Sequence, residues 1–581
     1  MREFALAGGQ AGIMGAAARK IHGLLPNMTF QRLTVFLIAA LTLSACTNIA
    51  TVREVTPRYL PPAQTQPGAP GAQALEKAVT ALSVAPALEK KTPLSAGERY
   101  ASALQSAAEE LEKHPGNAEA RHIYNFSLER IFSLIRARKY PAWAAPFQMG
   151  RYTLCLHGVP RDGWDPKIYD FLPDDQVEIG GRYIKERVVR DGLGATLVAI
   201  GREPKKNHRK DFSMSRTYYG VTAIARFRGN RCEVSFHDPV DESTVKLGGH
   251  TYPLAADFTT SLAILLTREL PEKLGILRLL DPDKYGDDAQ MIRLRPYSDE
   301  RIPLLLVHGL MDTPATWVPL VNAMRADPEL RRRYQVWVYS YPSGYPYPYT
   351  AALLRRELDR AKIAFPRHKP IVAVGHSMGG IVTRLMLTDS GDKVWDAYFH
   401  KKPSAIRMSA REKALMQDML IFKSRDDIAR AVFLNSPHRG AVLAGNWVGK
   451  IGRKLIRVPK LMISIGDAVR QVVMLSQGGL AYEDLPTSID SLTATNLFVK
   501  TVGKLPLNPR IPFHSIIGDR GKPKAQLNPE RGSDGFVPYW SSHLEGAQSE
   551  KIIPSNHTGH QSPEGIAEVL RILHLHLKTV R

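Results

Sequence analysis

The chain has only three cysteines in 581 residues, Cys46, Cys155 and Cys232. That is too few for a disulfide scaffold, and their spacing makes no metal-ligand pairing. It also lacks zinc-finger spacing, heptads joined to a basic region and any aromatic RNP-like strand, so the net charge of +22 has no nucleic-acid reader to serve. The surplus of Lys and Arg suits an anionic membrane surface or plain solubility. Nothing indicates wholesale disorder: 44% hydrophobic and 23% charged residues are enough to build packed cores, and 581 residues call for two or three of them.

Arg32 precedes the mostly apolar run Leu33 to Leu43, which is too short to span a bilayer comfortably and ends in Leu43-Ser44-Ala45-Cys46. A basic residue, a short apolar stretch and small residues before a cut describe a secretory signal. With cysteine at the cut, it resembles the bacterial lipoprotein lipobox. The resemblance implies cleavage before Cys46, lipidation of that residue and a membrane anchor in the cell envelope. Thr47 after the cysteine implies the outer membrane by the enterobacterial sorting rule. Met28 lies just ahead of the signal, so residues 1–27 are expected to be an over-extended start. Outside the cytoplasm Cys155 and Cys232 could pair, or could be two ordinary buried thiols.

Residues 47–75, rich in Pro, Gln, Ala and Gly, read as a flexible tether. Over 76–146, Leu104, Ala107, Ala108 and Leu111, then a Pro115-Gly116-Asn117 break, then Leu128, Ile131 and Ile135, predict a helical hairpin. Short strand signals fill 147–295, with a hairpin at Gly229-Asn230 and a helix over Phe258 to Leu270. This predicts a smaller α+β accessory domain. From 296 to 581, apolar runs at Pro303–Val307, Gln335–Tyr339, Ile371–Val374, Ala431–Leu434 and Phe513–Ile517 alternate with amphipathic stretches. That alternation is the mark of a buried, mostly parallel sheet with helices on both faces.

Gly375-His376-Ser377-Met378-Gly379-Gly380 falls between one of these strands and a helix. A serine held at a strained strand-to-helix turn needs small neighbours, which Gly375 and Gly379 supply. The backbone amides of Met378, at the helix start, and Leu310, in the His308-Gly309-Leu310 strand-end turn, are placed to bind a developing oxyanion. These segments, with Asn435-Ser436-Pro437-His438-Arg439-Gly440 and Ser533-Asp534-Gly535, make residues 300–581 resemble the α/β-hydrolase lipases. Within them the match is most similar to bacterial triacylglycerol lipases and GPI inositol-deacylase-like hydrolases. The resemblance implies an α/β-hydrolase fold and ester hydrolysis without cofactor or metal.

The order serine, acid, histidine admits Asp519 and Asp534; Asp534, in Ser533-Asp534-Gly535, is similar to the lipases' acid motif, and that resemblance favours it. His557, after the apolar Ile552-Ile553 and before the final helix, is the favoured base, with His560 and His543 as rivals. Between 438 and 510, Val448, Ile451, Leu455, Val458 and Met462 recur at helical spacing beside Lys450, Arg453, Lys454 and Arg457. Such a basic amphipathic insertion fits an interfacial lid or a cap helix equally. The expected activity is hydrolysis of carboxylic esters, with lipid as substrate and no nucleic-acid partner. An acyltransferase, a serine peptidase and a non-catalytic envelope lipoprotein stay open.

Overall fold

The computed structural model describes residues 48–60, 72–143, 146–158, 166–269, 273–406, 409–441, 492–521 and 532–580. The signal region, its Cys46 and the amphipathic segment within 442–491 lie outside the described residues.

Order begins earlier than composition suggests. Strand β1 (Thr51–Glu54), expected within a tether, lies antiparallel to Val177–Gly180, and Ile49 and Ala50 are buried just before it. Backbone pairing makes this strand, which is why side-chain periodicity does not reveal it. Three helices then follow instead of a hairpin: α1 (Ala72–Leu88), α2 (Pro93–Lys113) and α3 (Ala118–Arg138). The additional helix α1 buries Leu75, Ala78, Leu82 and Ala85, and a face built largely of alanine leaves a weak apolar pattern. The break before α3 reads as expected. Asn117 takes extended backbone and its side chain accepts from the Ala120 N–H at 3.0 Å, a cap worth ~1 kcal/mol.

The helices cover a six-stranded sheet. Its strands are β2 (Phe147–Met149), β3 (Tyr152–His157), β4 (Tyr169–Pro173), β6 (Ala195–Gly201), β7 (Tyr218–Arg228) and β8 (Arg231–His237), in spatial order β2-β3-β8-β7-β6-β4; β5 is the Val177–Gly180 partner of β1. Gly229 at φ 60° turns the β7–β8 hairpin. In the β3–β8 register Leu154 stands opposite Cys232 and Cys155 opposite Glu233. Successive side chains alternate between faces, so the two cysteines point away from each other and both are free thiols.

The second sheet has seven strands: β9 (Gln290–Arg293), β10 (Ile302–Val307), β11 (Tyr334–Ser340), β12 (Ile371–His376), β13 (Ile428–Leu434), β14 (Phe513–Gly518) and β15 (Ser549–Ile553), in order β9-β11-β10-β12-β13-β14-β15. All neighbours are parallel except β9 with β11. The sheet therefore starts at Gln290, ahead of the boundary expected at 296. One face packs on Leu354, Leu358, Ile381 and Leu385. The other packs on Trp317, Leu320 and the final helix (Pro563–Thr579) through Val569, Leu573 and Leu577.

Helix Thr260–Glu269 joins the two sheets. Its Ala263, Ile264 and Leu266 share a core with Val198, Ile200, Ala315 and Val318. Thr259 Oγ1 donates to Asn322 Oδ1 at 2.7 Å, and Asn322 Nδ2 donates to the Glu186 carbonyl at 3.1 Å. Ile49–Arg581 accordingly forms one compact unit.

Candidate active site

Strand β12 ends at His376, and helix Met378–Arg384 begins two residues later. Ser377 makes the turn alone at φ 54°, ψ −125°. A non-glycine residue held there stores on the order of 1–3 kcal/mol, retained only because the surroundings enforce it. The Ser377 N–H donates to the Leu434 carbonyl at 2.9 Å, tying the turn to β13. A Cβ on Gly375 would stand 2.6 Å from both the Gly379 oxygen and the Gly380 Cα, so only glycine lets strand and helix approach this closely.

The His308-Gly309-Leu310 turn presses on the same place. A Cβ at Gly309 would lie 3.0 Å from Ser377 Cβ. Tyr341 Oη donates to the His308 carbonyl at 2.5 Å and its ring stacks on the imidazole at 4.2 Å, fixing the turn from behind. Burial lowers His308 to about 4, so this ring is neutral and serves as packing. The Met378 amide, first in its helix, belongs to the N–H groups that a helix leaves without an internal acceptor.

Ser377, His557 and Asp534 come together. His557 Nε2 lies 2.8 Å from Ser377 Oγ, and His557 Nδ1 lies 2.7 Å from Asp534 Oδ2. Asp534 is 1% exposed, and its other oxygen accepts the Phe536 and Val537 N–H groups at 2.8 and 2.7 Å. With that oxygen engaged, the carboxylate is held edge-on to the imidazole.

The rivals are occupied elsewhere. Asp519 Oδ1 accepts from the Gly521 N–H at 2.8 Å, a turn cap. His543 pairs with Glu550 at 2.7 Å. His560 Nε2 meets Thr316 Oγ1 at 2.5 Å, and burial holds its pKa well below the ordinary histidine value.

Two features escape sequence reasoning. Asn435, at φ 48°, accepts the Gly518 N–H on Oδ1 at 2.8 Å and donates Nδ2 to the Asn556 carbonyl at 3.1 Å. It thereby ties the end of β14 to the loop carrying His557. The Asn-Ser-Pro-His segment after a strand signals this position without revealing its partners. Phe536, 49% exposed, sets its ring 5.2 Å from that of His557, and Met311 beyond the Leu310 turn is 41% exposed.

Residues 304–569 match the alpha/beta hydrolase family, and the sheet order and elbow above are those of an α/β-hydrolase fold. No curated protein matches the chain. Among solved structures, it is similar to the mature Bacillus licheniformis lipase BlEst2 (16% identity, 49% of this chain and 97% of that one, TM-score 0.29). It is also similar to Staphylococcus hyicus lipase (13%, 48% and 94%, 0.29) and an esterase from Exiguobacterium antarcticum (12%, 50% and 94%, 0.26). Among the described residues no helix is long and apolar enough to cross a membrane.

Proposed function

We propose that the protein is a serine hydrolase of carboxylic esters, acting on lipids at a membrane surface. The observation that carries this reading is the continuous line from Asp534 through His557 to a strained, buried Ser377. His557 Nε2 takes the Ser377 proton as Oγ attacks the ester carbonyl. Nδ1–H stays on Asp534, which orients the ring and balances the imidazolium. The tetrahedral oxyanion is held by the Leu310 and Met378 amides. Its collapse expels the alcohol, which takes the proton from His557, and leaves an acyl-enzyme that water cleaves by the same route.

The exposed Phe536 and Met311 beside the site support an apolar acyl chain as the preferred group. The Cys46 lipobox and net positive charge support a lipid-anchored protein of the envelope, on the outer membrane facing the periplasm. Hydrolysis of p-nitrophenyl esters of graded chain length tests the activity. Turnover should rise from acetate to longer chains and vanish in Ser377→Ala. Turnover that survives the substitution refutes the reading.

A further inference from the structure

Beside the elbow, where the His376 ring lies 5.1 Å from that of His557, three groups converge that this chemistry does not use: Asp312, His376 and His560. One donor atom from each lies within 4.8 Å of the others. The two imidazoles are 3% and 2% exposed and face one another with ring centres 3.7 Å apart.

Their hydrogen bonds set which atoms are available. His376 Nε2 donates to the His557 carbonyl at 2.8 Å, which leaves Nδ1 as the ring atom able to ligate. That Nδ1 is buried without a hydrogen bond and faces Asp312 Oδ2 at 3.5 Å. Something positive, a proton or a bound cation, must stand between that nitrogen and the carboxylate. His560 likewise has one ring nitrogen engaged and one orphaned: its Nε2 lies 2.5 Å from Thr316 Oγ1 and 3.1 Å from Gln561 Nε2, and its Nδ1 is buried without a partner. Metal-bound histidines commonly do this, donating one ring nitrogen to a carbonyl or hydroxyl while the other ligates.

We propose that Asp312, His376 and His560 form a binding site for a divalent transition-metal ion, Zn²⁺ by its donor set. Two imidazole nitrogens and one carboxylate oxygen, with a fourth position left to solvent, are ligands that zinc accepts tetrahedrally. Bond lengths of about 2.0–2.2 Å require the donors to close inward slightly. Asp312 can provide that movement, because its side chain is 25% exposed and opens the site to solvent. Arg182, whose charge opposes a cation here, is itself exposed to solvent screening. The site stands independently of the hydrolase reading, although His376 would link the ion to the backbone of His557. Sequence spacing gives no hint of it, since the ligands come from three distant places in the chain: a loop, the end of β12 and the turn before the final helix.

The test is metal binding by the full chain. Calorimetric titration with Zn²⁺ should give one saturable site per chain, and Zn²⁺ should raise the melting temperature. Co²⁺ in its place should show the intense visible bands of a tetrahedral centre. Asp312→Asn, which keeps side-chain size at a partly exposed position, should weaken Zn²⁺ at least ~10-fold and abolish the Co²⁺ bands while leaving the circular dichroism unchanged. Equal Zn²⁺ affinity in both proteins, or no stoichiometric binding to the wild type, overturns the proposal. The Asp312–His376 contact would then be an ion pair only.

Discussion

Asn435 reaches across two loops to donate to the carbonyl of Asn556, the residue immediately before His557. Its other amide atom accepts from Gly518 at the end of β14. His557 is therefore positioned through its backbone as well as through Asp534.

Removing that brace should misplace His557 without altering what binds. Asn435→Ala leaves a buried N–H and a buried carbonyl unpaired, each costing roughly 1–3 kcal/mol. We expect kcat to fall about 10- to 100-fold with little change in KM. Asn435→Asp keeps the acceptor for Gly518 but loses the donor to Asn556, so its kcat should fall between the two. Steady-state kinetics check this, and a change confined to KM would contradict it.

The two acids give a sharp contrast. Asp534→Asn should lower kcat by on the order of 10⁴-fold, as expected when the imidazole is held in the wrong tautomer. Asp519→Asn only loosens a turn and should cost less than ~10-fold. Comparable losses in the two variants would show that Asp534 has no special role.

The elbow should tolerate no side chain before the serine. In Gly375→Ala the added methyl meets backbone atoms at 2.6 Å, where nothing flexible can yield. Denaturant unfolding should show a loss of about 1–3 kcal/mol or more, together with loss of activity. Wild-type stability would mean the strand and helix are less tightly joined.

How much of this was legible follows from where the signals live. The position of Ser377 could be found because the elbow imposes small residues at fixed positions. Chain order admits Asp519 and His560 as readily as Asp534 and His557, and only the folded geometry separates them, because a pairing of loop side chains leaves no periodicity. Helix α1 was missed because alanine buries well but scores weakly as an apolar stripe. Strand β1 was missed because a short edge strand rests on backbone pairing. The contacts of Asn435, His376 and Asp312 are long-range and have no local signature.

A pH effect on stability should come from the accessory region. Arg187 faces two buried carboxylates, Asp174 at 3.2 Å and Asp257 at 2.5 Å. Burial, reinforced by the Asp257 charge, pushes Asp174 up to about 8. A carboxyl raised in the folded state favours folding while it is protonated. That contribution is complete below the ordinary carboxylate range and is lost as pH rises through about 8. Melting temperature should therefore decline from about pH 4 to about pH 8 and level off above it, and Asp174→Asn should flatten the decline. Parallel curves for the two proteins would place the proton elsewhere.

The most direct test of the Ser377–His557–Asp534 assignment is labelling with a fluorophosphonate, which modifies only an activated serine. Intact-mass analysis should show one adduct per chain, mapped to the peptide containing Ser377, absent in Ser377→Ala and slowed at least ~100-fold in His557→Ala. Labelling that persists in Ser377→Ala, or proceeds at full rate without the His557 imidazole, would contradict it.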